Sequence, residues 1–215
     1  LQAVAVLSLT NDFSIPVTAL FMEGPPGTDS TKVTTLFDFR IGWGVAAFLL
    51  MSATAHLVQI TPGMFQWYIR QLESRRNYAR WIEYSFSSSL MIVLIALLPG
   101  ITDISALIAL FGVNAAMILF GLLMEKYEQP GNPSWTSYWF GVLAGSVPWI
   151  ALAVYLWSPG STANPPIFVY VIFVSLFLFF NSFALNMVLQ YRQTWRWQNY
   201  LYGEYVYIAL SLTAK

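Results

Sequence analysis

Uncharged apolar runs of about span length recur along the chain, each bounded by charged or helix-breaking residues. A helix needs ~20 such residues to cross a ~30 Å hydrocarbon core. The runs at 41–61, 80–99, 104–124, 137–157, 166–190 and 203–215 read as spans, the last one cut short. From Glu128 to Arg192 no side chain is charged, yet SPGSTANPP at 158–166 carries Pro, Gly and Asn, so two spans and a tight turn are expected there. LQAVAVLSLT at 1–10 reads as the end of a further span, which makes seven. The stretch after it, NDFSIPVTALFMEGPPGTDSTKVTT, reads as an ordered loop with strand character. No internal repeat or low-complexity tract is visible, and one seven-helix domain over 1–215 is expected, with both ends truncated.

Composition places these runs in a bilayer. Hydrophobic residues make up 57% of the chain and charged residues 9%, with a mean hydropathy of +0.59. The net charge is zero, so nothing points to nucleic acid. Cysteine is absent, which excludes a disulfide framework and a thiolate metal site. No charged segment with a small-residue cleavage site precedes the first apolar run, so no signal peptide is expected.

Basic residues give the orientation. One set of alternate loops holds Arg70, Arg75, Arg76, Arg80, Lys126, Arg192 and Arg196, while the other holds only Lys32 and Arg40. The positive-inside rule makes the first set cytoplasmic, with the N-terminus inside and the C-terminus outside. Trp67, Tyr68, Trp135, Trp195, Trp197 and Tyr200 read as an aromatic belt.

The tenth basic residue is Lys215. If the last span enters near Glu204, Lys215 lies about 16 Å deep at ~1.5 Å per residue, near the bilayer centre. A lysine there costs at least ~2.5–3.5 kcal/mol and usually lines a functional pathway or pairs with another charge. Two plainer readings stay open: a lysine that only pairs with a carboxylate in a longer span, or a terminal interfacial residue. Among possible partners, Asp12, Glu23, Asp29, Asp38, Glu73 and Glu128 read as loop or interface residues, Asp103 and Glu125 as caps at the two ends of 104–124, and Glu204 as the start of the last span. Glu83 remains, inside an apolar span. A carboxylate ~4 Å from a cation at an effective dielectric of ~20 returns ~4 kcal/mol, or about three pKa units, enough to offset desolvation of a cationic Schiff base. Ser211 lies one helical turn before Lys215 on the same face.

Seven spans with a lysine in the last and a glutamate in the third look like a retinal protein. The stretches SLTAK, NYARWIEYSFSSSLM, GITDISALIALFGVNAAMILFGLLME and NDFSIPVTALF resemble the heliorhodopsins in particular. That resemblance implies all-trans retinal in the dark, held on Lys215 as a protonated Schiff base, with Glu83 as counterion and Ser211 beside the nitrogen. It implies a polar cluster of Ser52 and His56 on the cytoplasmic side, and a polyene lined by Tyr84, Ser87, Met91, Asn114, Met117, Ile118, Trp139 and Phe180. Each has a bland alternative: His56 as a packing residue, Met91 and Met117 as bundle fillers, Trp139 as an interfacial anchor. Asn114 must point inward, because an amide facing lipid is costly. GVLAG at 141–145 signals close helix approach.

Eleven residues beyond Glu83, where many proton pumps keep a donor carboxylate, stands Leu94, and LMIVLIALLPG at 90–100 holds no ionisable group. A slow photocycle and light sensing through an unknown signalling partner are therefore expected rather than pumping. The resemblance further implies a homodimer in the cell membrane. Light-gated ion or proton conduction is the competing reading, and a retinal-independent transporter using Lys215 and Glu83 as an ion pair is a third. No nucleophile and base, nucleotide loop or metal cluster suggests an enzyme.

Overall fold

A computed structural model of the chain describes residues 2–28, 31–157 and 166–214. Lys215 lies outside the described residues, as does the expected 158–166 turn apart from Pro166. The elements are α1 (Gln2–Leu9), β1 (Ser14–Met22), β2 (Thr31–Arg40), α2 (Ile41–Gln59), α3 (Pro62–Glu73), α4 (Tyr78–Leu97), α5 (Ile104–Tyr127), α6 (Thr136–Leu156), α7 (Ile167–Tyr191), a 3-10 turn at Trp195–Gln198, and α8 (Tyr200–Ala214). Among the described residues, α2, α4, α5, α6 and α7 are long and apolar enough to cross a membrane. Their bounds fall within three residues of the expected spans. Charged and helix-breaking residues end them, because neither a charge nor an open backbone is tolerated in hydrocarbon.

Caps set the helix starts. The Asn77 side chain accepts from Arg80 N at 3.1 Å and opens α4. Asp103 opens α5, accepting from Ser105 N at 2.9 Å and Ala106 N at 3.2 Å. The Ser105 hydroxyl, with these backbone donors, holds the Asp103 carboxyl below its ordinary pKa. The cap is thus in place at neutral pH and is lost only as pH falls through that lowered value.

The loop with strand character is a hairpin. β1 and β2 pair antiparallel from Ser14 with Arg40 to Met22 with Thr31, with a register irregularity between Val17 and Thr18. Thr18 N donates to Thr102 O at 2.9 Å, tying β1 to the start of α5. Val17, 1% exposed, enters the bundle end and packs in the same core as Ile92, Leu97, Ile101 and Leu152. The hairpin is therefore a plug on one end of the bundle.

At the opposite end stands an element the charge pattern marks only as loop. Helix α3 has Pro62 in its first turn and places Met64, Phe65, Tyr68, Ile69 and Leu72 on one stripe, with Gln66, Arg70 and Glu73 opposite. It closes in a Schellman turn: Arg75 N donates to Leu72 O and Arg76 N to Gln71 O, both at 2.9 Å. Arg75 occupies the left-handed position at φ 57°, where a non-glycine residue costs ~1–2 kcal/mol.

In the bundle α4 packs between α2 and α5, α5 against α6, and α7 against α8. Gly141 and Gly145 allow the α5–α6 approach: a Cβ at Gly141 would sit 3.4 Å from the Phe120 Cβ, and one at Gly145 would meet Met117. Helices α6 and α7 meet through aromatic side chains, with Trp149 set edge-on to Phe173, Phe177 and Phe180 at 5.3–5.4 Å.

Val17→Ala removes two buried methyl groups at the plug and is expected to cost about 2 kcal/mol, read as a lower midpoint in thermal unfolding of the solubilised protein. An unchanged midpoint would mean that the hairpin does not seal the bundle.

Candidate functional site

Helices α4 and α8 carry polar residues at helical spacing, and their facing stripes build two adjoining polar centres. In the first, Ser52 of α2 donates its hydroxyl to Glu83 of α4 in a short hydrogen bond, with both side chains buried. The Tyr84 hydroxyl is in hydrogen-bond contact with the Ser211 side chain of α8. Three helices thus bring Ser52, Glu83, Tyr84 and Ser211 together. Lys215 is four residues past Ser211 in sequence and lies outside the described residues.

Tyr84 and Ser211 line a cavity of about 700 Å³ between α4, α5, α6, α7 and α8, while Ser52 and Glu83 stand behind them and are not among its lining residues. That volume is within the ~300–1,000 Å³ usual for small-molecule sites. Of the residues expected to line a polyene, Tyr84, Ser87, Met91, Met117, Ile118, Trp139 and Phe180 do line it, as does Ser211. Trp139 stands at its edge with 64% of its surface exposed, so it borders the cavity and faces outward at once. Asn114, 1% exposed, points inward but spends its amide on Ser88 at 2.9 Å and Ser89 at 3.1 Å, clamping α5 to α4 behind the wall. His56 is exposed, one turn beyond Ser52, and is not among the lining residues.

The cavity also takes in Trp81, Ser88, Tyr138, Trp149, Phe173, Phe177, Phe183 and Tyr207, which sequence reasoning passed over. Trp149 is the chief omission, since it holds three phenylalanines in place. Its uncharged neighbourhood in α6 carries no signal beyond bulk.

The second centre corrects three expectations. Arg80 is not a loop cation but is buried at 7% exposure in the first turn of α4. Glu125 does not cap α5; it is 6% exposed in the last turn and faces the bundle. Glu204 does more than begin the last span, being 6% exposed and paired with Arg80. Arg80 Nη2 donates to Glu125 Oε2 at 2.7 Å, and Nη1 donates to Glu204 Oε1. Asn77 donates its backbone N–H to Glu125 and its amide to Glu204 Oε2 at 2.6 Å; Trp81 Nε1 and, at 3.0 Å, the Tyr200 hydroxyl also donate to Glu125. The guanidinium lies over the Tyr207 ring at 3.8 Å and the Trp81 ring at 4.6 Å.

Burial of all three charges is tolerable because each faces an opposite charge and further donors or rings, although among the described residues Arg80 Nε and the Tyr207 hydroxyl have no hydrogen-bond partner. Elimination by sequence left Glu83 as the sole carboxylate inside a span; among the described residues three are buried, Glu83, Glu125 and Glu204. A sequence signal existed: Glu204, Tyr207, Ser211 and Lys215 fall on one helical stripe, and Asn114, Ile118, Gly121 and Glu125 on another. Extending either stripe by a turn leads to the second centre.

The centres are joined through α4, where Arg80 and Glu83 are one turn apart, and through α8, where Tyr207 and Ser211 are one turn apart. A change of charge at the first can therefore reach the second through rigid helical turns.

The heliorhodopsin family model matches residues 1–215, the whole chain. No curated protein matches it.

Arg80→Leu strands two buried carboxylates and is expected to cost about 3–5 kcal/mol, whereas Glu125→Gln, which leaves Glu204 opposite Arg80, should cost less. Thermal unfolding followed by tryptophan fluorescence ranks the two variants; equal midpoints in both variants and wild type would remove the cluster as the tie between helices.

Proposed function

The chain belongs to the heliorhodopsin family, retinal-binding light sensors of the membrane rather than enzymes, and on that premise we propose that Lys215 holds all-trans retinal as a protonated Schiff base with Glu83 as its counterion. The observation that carries this reading is the aromatic cavity of about 700 Å³ beside the Glu83–Ser52 pair and Ser211. Bound there, retinal supplies visible absorption and a light-driven change of shape and charge position.

The protein's own residues do the rest. Trp149, Phe173, Phe177 and Phe180 interlock around one side of the cavity and restrict what moves in it. Ser52 donates to Glu83 and holds its carboxylate in place. Ser211 and Tyr84 supply hydroxyls near the same point. Ser52 and Glu83, with His56 one turn further along α2, form the proposed proton switch, and the Arg80 cluster transmits its state to the bundle end.

Signalling rather than transport is favoured by the other half of the bundle. Ile92, Ile95, Ala96, Leu97, Leu107, Leu110 and Leu152 form one buried apolar core capped by Val17. Among the described residues no ionisable side chain belongs to that core, which supports sensing over transport. We read the chain as a single seven-helix domain with the basic end cytoplasmic, following the loop charges. A homodimer with the hairpin in its interface is supported by Leu20, Phe21, Met22 and Phe37, each 48–58% exposed beyond the spans.

Lys215→Ala is expected to abolish the visible band of the full-length protein reconstituted with all-trans retinal. Glu83→Gln removes the charge that stabilises the cation, so the nitrogen should lose its proton about three pH units lower than in wild type, taking the band as pH rises. A band that survives Lys215→Ala would refute the attachment. Photocurrents that change in Glu83→Gln would turn the reading from sensing to conduction.

A further inference from the structure

Three loops meet at the end of the bundle opposite the hairpin. Arg76 Nη2 donates to Lys126 O at 3.5 Å, Gly131 N to Tyr191 O at 2.9 Å, and the Arg192 guanidinium is 5.8 Å from the Trp135 ring centroid. Arg70, Arg75, Arg76, Lys126, Arg192 and Arg196 are all exposed there, and among the described residues none of them makes an ion pair. Glu73 and Glu128 are the only acidic side chains in these loops. At the hairpin end both cations are paired, Lys32 with Glu23 at 3.6 Å and Arg40 with Asp12 at 3.5 Å. Among the described residues, the positive charge without an ion-pair partner is therefore gathered at one end.

Helix α3 lies in the midst of this charge. It joins the end of α2 to the start of α4, so it is held at the level where the spans leave the hydrocarbon. Its apolar stripe is only partly covered by protein: Met64 and Phe65 are 40% and 42% exposed. The far part of the stripe turns inward. Burial raises the Tyr68 phenol above its ordinary pKa, the Glu204 charge acts the same way, and a hydrogen bond with Asn77 opposes them. Tyr68, Ile69 and Leu72 are thus half-buried while Met64 and Phe65 stay uncovered. At its end, Arg75 stands in the left-handed position that glycine fills best, so backbone geometry does not account for an arginine there.

We propose that α3 and its Arg75–Arg76 turn form a site for anionic phospholipid. Met64 and Phe65 enter the acyl boundary, and the two guanidinium groups take the phosphodiester of the headgroup, for which their planar donor forks are suited. The occupant is lipid because the stripe is level with the span ends and the surrounding charge is complementary to an anionic leaflet. The inference is independent of what the cavity holds.

The test uses the full-length protein in nanodiscs of phosphatidylcholine, alone or mixed with phosphatidylglycerol. Lipid retained on the protein is measured by native mass spectrometry, with Met64→Cys as a nitroxide site, since these 215 residues contain no cysteine. Phosphatidylglycerol should be retained in excess of its share of the mixture, and Arg75→Gly and Arg76→Gln should each reduce that excess about fivefold. Arg75→Gly relieves the left-handed backbone, so it should melt no lower than wild type while losing lipid, which separates a lipid role from a structural one. The nitroxide should collide with oxygen in preference to a water-soluble nickel chelate. Retention that follows the bulk mixture, or that is unmoved by both variants, overturns the proposal. Competition by inorganic phosphate would mean a free-anion site, and a nitroxide open to the nickel chelate would mean that the stripe awaits a protein; either result overturns it too.

Discussion

The burial of Arg80 is the constraint around which one half of this bundle is organised. A guanidinium with 7% exposure inside a bundle must be matched by charge and hydrogen bonds, and no single helix can supply them. Glu125 comes from α5, Glu204 from α8, and Asn77 from the turn before α4. Meeting that requirement fixes how three helices are rotated about their axes. Since each helix repeats every 3.6 residues, the rotation also decides what faces inward one turn further on. On α4 that is Glu83 and Tyr84, and on α8 it is Tyr207, with Ser211 a further turn along.

The cavity follows from the same arrangement. Helices α5 and α6 approach closely through Gly141 and Gly145, whereas α6 and α7 are separated by the rings around Trp149. Small residues on one side and large aromatic ones on the other leave space between the helices instead of filling it. The polar groups gather at one wall of that space. A site for an apolar ligand with one cationic end has this form.

The bundle divides into a polar and an apolar half. Toward the basic end, Arg80 pairs with Glu125 and Glu204, and Glu83 lies one turn further along α4. Toward the hairpin, Val17 closes a core with no ionisable side chain among the described residues.

What the sequence alone determined is whatever the bilayer dictates residue by residue. The spans, the helix start at Asp103, the strand character after α1, and the one-turn relation of Ser211 to Lys215 depend on local hydropathy, capping and periodicity. The cavity residues Tyr84, Ser87, Met117 and Phe180 came from family resemblance, not from any pattern in the chain. Tertiary structure alone decided which charges are buried. Arg80, Glu125 and Glu204 each stand at the edge of an apolar run, where sequence sees an interface; only the mutual rotation of α4, α5 and α8 turns all three toward one point. It also decided that Val17 enters the bundle and that α3 is a helix at all, because a single amphipathic turn or strand gains its stability from what it packs against and not from its own residues.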